Sequence, residues 1–394
     1  MPVSLIPRLR PTVRRFAAGR QVVLTDAARL VPGGVAVPPA AGPLFDLFDG
    51  TCTVETIAAA TSLTAEAVAG VVDYLDAALL LDSPAFAAYI AGPDRRPACV
   101  GVYPADPAAI PAALEALFTA PGGPGLPRPA PPPPPGRLRA VLAPHMDYAR
   151  GGVTYGWAFR DLVEQTDARL FVVIATGHST RARFTLTRKH YATPLGTVPT
   201  HLGFVESLLQ HYGNAALTDY YAHLPEHSVE LHVPFLQHFL AGPPVRIVPL
   251  LVGSFHDAVT SGRSPGDLSD VAGMVAALRH AEAAAGEPVV YLISGDLAHV
   301  GPKFGDEHPL DPRELTAGAS ADARLLTCLT AADPAGYFAT ITAEGDARRI
   351  CGFPPTWVAL TAARPTFGVV RHYQQYAHPN GDESVSFAAA SFYD

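Results

Sequence analysis

Four short segments hold the residue types that could do chemistry together. They are Pro144-His145-Met146-Asp147-Tyr148, Thr176-Gly177-His178-Ser179, Ser294-Gly295-Asp296-Leu297-Ala298-His299 and Ile350-Cys351-Gly352-Phe353-Pro354. The first three each follow an apolar run: 140–143, 170–175 and 289–293. Ligands and metals gather beyond the carboxyl ends of strands in an open α/β sheet. Two imidazoles, a thiol and a carboxylate/imidazole pair at one such edge would make a mononuclear metal site, provided the strands are neighbours. A lone histidine at a strand end is more often a structural hydrogen bonder. His145 and His178 share one placement, however, and neutral imidazole is the commonest metal ligand. Cys351 stands before a glycine and two prolines that fix a turn, and a thiolate there would add affinity for zinc, Fe(II) or copper. The default for Cys52, Cys99 and Cys328 is an inert buried thiol.

Asp296 and His299 are spaced i, i+3, so on a helical turn they would face one another. A carboxylate-oriented imidazole is a usual acid/base pair, and a helix N-cap by Asp296 accounts for the same spacing. His227, Glu230 and His232 form a fifth cluster, and three ionisable groups within six residues suit a half-exposed segment lining a pocket.

The elements that would position these residues emerge from about Arg139 onward. Strand-like runs recur at 170–175, 245–252, 289–293, 366–373 and 384–390, with helical patterns at 202–209, 233–240 and 267–285. This alternation predicts an α/β fold, a mixed-sheet sandwich. Residues 1–88 read as a small winged-helix-like α+β module, with strands at 20–25 and 34–38 and helices at 42–48, 53–60 and 64–79. The second domain is expected to span 92–394, with a first helix at 108–118. A proline-rich loop, 121–136, joins that helix to the sheet as an extended spacer, although its PxxP content could dock an SH3-like partner.

Bulk properties narrow the field. The chain has 394 residues, 48% of them hydrophobic and 16% charged, which suits a soluble protein with a large core. Its 36 acidic and 28 basic residues form no cationic cluster, arguing against a nucleic-acid partner. The expected third helix of the N-terminal module, 64–79, contains no Lys or Arg, which argues against DNA binding there. No apolar run reaches membrane-spanning length and the N-terminus lacks a signal-peptide core, so a cytoplasmic protein with reduced thiols is expected.

Taken in order, the segments resemble the MEMO family, known in bacteria as AmmeMemoRadiSam system protein B. The resemblance covers about 95–394. His145 stands in its Pro-His-Ala-Gly-Tyr motif and His178 in its Gly-Pro-Ser-His segment. Glu226 to Phe235 resembles its His-Ser-Ile-Glu-Met-His-Leu-Pro-Tyr, Ser294 to Gly301 its Ser-Ser-Asp-Phe-x-His-x-Gly, and Ile350-Cys351-Gly352 its Ile-Cys-Gly. The resemblance implies a fold similar to class III extradiol dioxygenases, with one metal ion, Fe(II) favoured and copper or zinc as alternatives, on His145, His178 and Cys351. It further implies His299 as acid/base, with Asp296 orienting it, and Asp147, His227, Glu230 and His232 about the pocket. The implied function is a non-haem metal-dependent oxidoreductase acting on a small molecule or peptide. The alternatives are a non-catalytic peptide-binding adaptor for a radical SAM partner, or a zinc hydrolase. The N-terminal segments Pro7 to Val13, Phe48-Asp49-Gly50 and Thr53 to Ile57 are similar to PqqD-type domains, which bind leader peptides along a sheet edge. An Ala-, Pro-, Gly- and Arg-rich composition with 3 Met points to a high-GC bacterial genome.

Three departures from the family pattern stand out. Asp147 replaces a glycine, Phe353-Pro354-Pro355 replaces Arg-His-Pro, and Ala98-Cys99-Val100 lacks a usual histidine.

Overall fold

The computed structural model describes residues 6–19, 21–27, 30, 34–240 and 242–394. The chain divides into two compact units, one ending at Ala98 and one running from Cys99 to Asp394.

In the first unit, Val13–Ala18, Gln21–Asp26 and Gly34–Val37 form a three-stranded antiparallel sheet in that order. The expected strand at 20–25 starts at Gln21, with Arg20 outside the described residues. Sequence reading missed Val13–Ala18, because this sheet-edge strand has exposed Arg14, Arg15 and Phe16 and no apolar alternation. Helices Val54–Thr61, Ala65–Ala77 and Pro84–Ala91 begin after Thr53, Thr64 and Ser83, whose hydroxyls accept the N–H of Thr56, Ala67 and Phe86. The helix expected at 42–48 is instead a 3-10 helix at Pro39–Asp46, where Pro39 and Pro43 withhold N–H donors. Leu24, Leu44, Phe45, Ile57, Val68, Val72 and Leu75 fill the core. Arg10 is buried with them, donating to Leu79 O at 2.8 Å and pairing with Asp26 at 2.7 Å.

The second unit is built on an eight-stranded mixed sheet. Its strands are β1 (Leu138–Ala143), β2 (Leu170–Thr176), β3 (Phe184–Leu186), β4 (Arg246–Val252), β5 (Val289–Ser294), β6 (His299–Val300), β7 (Phe367–Ala377) and β8 (Ser384–Tyr393). They run in the order β6-β8-β1-β5-β2-β4-β3, with β7 alongside β8. Strands β1, β5, β2 and β4 are mutually parallel, whereas β3, β6, β7 and β8 pair antiparallel with their neighbours. Every residue of β1, β5 and β8 is buried, which suits their largely apolar composition. Helix Tyr148–Gln165 packs on β1, β7 and β8, and helix Phe353–Ala363 on β1, β2 and β5.

Helix Tyr148–Gln165 was hidden in the sequence by Gly151, Gly152 and Gly156. The structure gives the reason for Gly152: a Cβ there would fall 2.5 Å from Leu117 on helix Ile110–Thr119. The proline-rich stretch forms no helix or strand. It is anchored nonetheless, with Gly122 O accepting from Trp157 at 2.9 Å and Arg128 N donating to Glu164 at 2.8 Å. Among the described residues no helix is long and apolar enough to cross a membrane.

Candidate metal centre

Because β5 lies between β1 and β2, their carboxyl ends share one edge of the sheet. His145, His178 and Asp296 each stand two residues beyond one of those ends. The strand neighbours required by sequence reasoning are therefore present. His227 arrives on the four-residue helix His227–Glu230, and its ring centroid lies 4.6 Å from that of His178 and 5.3 Å from that of His145.

Hydrogen bonding fixes the imidazole tautomers. Ser294 Oγ donates to Ser228 O at 2.6 Å, so toward His145 it acts as acceptor, 3.2 Å from Nδ1. His145 thus carries its proton on Nδ1 and a lone pair on Nε2. Burial first, and the neighbouring His178 and His227 next, push the His145 pKa well below the usual 6.5, which favours the neutral ring. Glu226 does the same work for His178, with its Oε1 2.9 Å from His178 Nδ1, and the same oxygen lies 3.2 Å from His227 Nδ1. It also accepts the His178 backbone N–H at 2.8 Å. Burial works to raise the Glu226 carboxyl, but the His178 hydrogen bonds and nearby imidazoles bring it to about 2, so it is an anionic acceptor.

Cys351 and Asp296 also lie beside His145. Cys351 Sγ lies 3.3 Å from His145 Nε2, and Asp296 Oδ2 lies 3.6 Å from the same atom. Asp296 Oδ1 accepts the His145 backbone N–H at 3.0 Å. Among the described residues, metal-grade donors gather in two triads with all donor atoms within 4.8 Å of one another. One is His145, His178 and His227; the other is His145, Asp296 and Cys351. Three neutral imidazoles, or imidazole with thiolate and carboxylate, are donor sets that suit zinc, copper or iron. Imidazoles held by oxygen acceptors on the far nitrogen are the usual support of metal-ligating histidines.

These segments lie in the region that matches a family model. The model described as "Memo-like protein" matches residues 95–393. This chain belongs to the Memo-like family. A MEMO1 family protein of Methanothermobacter thermautotrophicus is 31% identical over 276 residues, covering 68% of this chain and 88% of the relative. One from Methanopyrus kandleri is 29% identical over 307 residues, covering 76% and 99%.

In this Memo-like chain the helical-turn expectation for Asp296 and His299 needs correction. Residues 295–298 form neither helix nor strand, and Asp296 caps no helix. Leu297 N donates to Ser386 O at 2.7 Å and His299 N to Arg348 O at 2.7 Å, so the backbone is committed to its neighbours rather than to a local turn. The His299 ring is set by two carbonyls, Leu297 O at 3.1 Å and Arg349 O at 3.2 Å from Nδ1. Its lone pair is therefore on Nε2. Burial lowers its pKa to about 4, despite those two bonds.

A cavity of about 280 Å³ is lined by His145, His178, His227, Asp296, His299 and Asp147 among others. Arg150, Glu383 and Lys303 also line it, and they form an ion chain with Asp147. Asp147 caps helix Tyr148–Gln165 through Arg150 N at 3.1 Å and binds Arg150 Nε at 2.6 Å. Glu230 and His232 are fully buried and do not line this cavity. Glu230 accepts from Cys99 N at 2.9 Å and from the Tyr103 hydroxyl. His232 packs against the rings of Tyr155 and Phe159, and among the described residues neither ring nitrogen has a hydrogen-bond partner. Burial lowers its pKa to about 3.

Phe353 and Pro354 line a second cavity of about 230 Å³ that also touches Cys351. Sequence reasoning did not single out Glu226 or Ser294 as orienting residues. A carboxylate adjacent to His227 was visible, but its grip on His178 depends on the fold.

Proposed function

We propose that this Memo-like protein is a mononuclear non-haem metal-dependent oxidoreductase, with Fe(II) the favoured ion and copper or zinc the alternatives. The observation that carries this reading is that His145 and His178 meet oxygen acceptors through Nδ1, with His227 Nδ1 3.2 Å from the same Glu226, which leaves Nε2 lone pairs available to an ion. Cys351 and Asp296, which burial holds toward their protonated forms, would become anionic donors beside the same His145 on giving up their protons to a metal. A bound ion would supply Lewis-acid and redox chemistry within a cavity that opens to a small molecule or peptide. His299, neutral with its lone pair on Nε2, would accept a proton from substrate. The reading extends to the fold: the mixed sheet with its ligands at the parallel strand ends is taken as akin to class III extradiol dioxygenases. Four free thiols suit a reducing, cytoplasmic setting.

The test is oxygen uptake over a substrate panel by protein reconstituted anaerobically with Fe(II), copper or zinc. Uptake that needs Fe(II) or copper and disappears in His178→Ala is expected. Hydrolysis with zinc alone would replace this reading with a zinc hydrolase.

A second reading is favoured by the first unit. Its edge strand Val13–Ala18 exposes Arg14, Arg15 and Phe16, the last 49% accessible, as an edge to which a peptide strand could add. On this reading the unit is a winged-helix-like, PqqD-like module, and the chain is an adaptor for a radical SAM partner. Co-purification with such a partner that is lost on Phe16→Glu would support it, and equal recovery of both proteins would not.

A further inference from the structure

The cavity of about 230 Å³ beside Cys351 is separate from the ring of donors, for no residue lines both it and the larger cavity. Its wall is made where β2 and β4 end and is completed by residues within 346–354. We propose that this cavity is a second binding site, for a small primary amine with an apolar body. It needs no bound ion.

Apolar side chains make much of the wall. Phe255, Val259, Ile350 and Phe353 are each at most 6% accessible, and the Phe255 and Phe353 rings meet edge to face with centroids 5.7 Å apart. Such a wall takes a hydrocarbon body, a ring included, in place of water. The volume falls below the roughly 300–1,000 Å³ of drug-sized sites, so the occupant is a small fragment.

One acid sets the polarity of the head group. Asp346 lines the cavity; its Oδ1 accepts Ile350 N at 2.8 Å, and among the described residues its Oδ2 has no hydrogen-bond partner. The nearby guanidinium groups are spent on other anions. Arg349, also in the wall, pairs with Asp306 at 2.6 Å and donates to His299 O at 3.2 Å. Arg348 is held by Asp322 and Glu344. Burial raises the Asp346 carboxyl above its ordinary 3.8 even with His256, Arg348 and Arg349 nearby, so the protein's own cations leave its charge under-compensated. An ammonium group would donate to this carboxylate and neutralise it. A hydroxyl would donate without neutralising, and an anionic head would be repelled.

Calorimetric titration of the full chain with phenethylamine tests the proposal, with phenethyl alcohol and phenylpropionate as neutral and anionic counterparts. One phenethylamine should bind per chain, roughly tenfold or more tighter than either counterpart, the margin of a charge-assisted bond. Asp346→Asn is the sharpest variant, because an asparagine Oδ1 can still accept Ile350 N and asparagine tolerates the left-handed φ of 52° found there. It should bind the amine roughly tenfold more weakly and the alcohol as wild type does. Val259→Phe should weaken both the amine and the alcohol by filling the apolar side. Thermal melts report whether each variant is folded, and Asp346→Asn decides alone if Val259→Phe is not. No binding of phenethylamine by wild type, equal binding by Asp346→Asn, or a preference for phenylpropionate would each overturn the proposal. So would unchanged amine binding by folded Val259→Phe, which would put the amine elsewhere.

Discussion

Gly295 and Gly352 touch backbone to backbone: a Cβ on Gly295 would fall 2.4 Å from Gly352 Cα, and one on Gly352 would fall 2.5 Å from Asp296 O. This contact brings the loop after β5 against the N-terminus of helix Phe353–Ala363, and so brings Cys351 to His145 and Asp296. A single methyl at Gly295 should push the two segments apart. Gly295→Ala is expected to destabilise the fold by about 1–3 kcal/mol, the usual range for overpacking, and to weaken metal binding. Urea denaturation and metal titration of this variant would measure both. Wild-type values in both would mean that the contact does not hold Cys351 in place.

Glu226 holds the His178 ring and lies 3.2 Å from the His227 ring, whereas Ser294 meets His145 alone. Glu226→Gln should therefore reduce metal affinity more than Ser294→Ala, with losses of roughly tenfold to a hundredfold for such supporting residues. Competition with a chelator of known affinity would rank the two. The reverse order would contradict the tautomer assignment.

Cys351→Ala should lower metal affinity at least tenfold, a change of about 1.4 kcal/mol. Unchanged affinity for iron, copper and zinc alike would remove Cys351 from the ligand set.

Acid sensitivity follows from the buried histidines. His232 is held at about 3 and His299 at about 4, below the unfolded value of 6.5. Between pH 6.5 and 4 the unfolded chain binds protons that the folded chain does not, so these groups make stability fall as pH falls through that window. Asp296, raised by burial to about 7, acts in the opposite sense, because the folded chain keeps its proton between pH 3.8 and 7. The histidines outnumber it, so metal-free protein should lose stability below pH 6.5. His232→Phe should flatten that slope by about 1.4 kcal/mol per pH unit near pH 5. Urea denaturation from pH 5 to 8 in chelator would show this, and an unaltered slope would mean that His232 is protonated in the fold.

Asp147 serves the helix start and the cavity mouth rather than the ring of donors. Asp147→Ala should cost about 1 kcal/mol of stability as a lost N-cap while leaving metal affinity near wild type. A large loss of affinity would make Asp147 a participant in the metal site.

The strand ends that present His145, His178 and Asp296 were legible because β1, β2 and β5 are continuous apolar runs, and a buried parallel strand can hardly be written otherwise. That the three strands are neighbours came from the fold, because strand order leaves no local mark in sequence. Helix Tyr148–Gln165 was obscured by glycines whose purpose is contact with Leu117, over thirty residues away in the chain. The Asp296–His299 spacing suggested a helical turn because i, i+3 is all that sequence displays. The pull of Ser386 and Arg348 on that backbone was invisible. Within the fifth cluster, spacing could not separate His227, which lines the cavity, from His232, which is sealed among aromatic rings.

The most direct test of the account is the metal content of protein purified anaerobically, measured by elemental analysis for wild type and for His145→Ala. The account predicts about one equivalent of iron or copper in wild type and almost none in the variant, since His145 belongs to both triads. Wild type that takes up no metal, or a variant that retains a full equivalent, would contradict it.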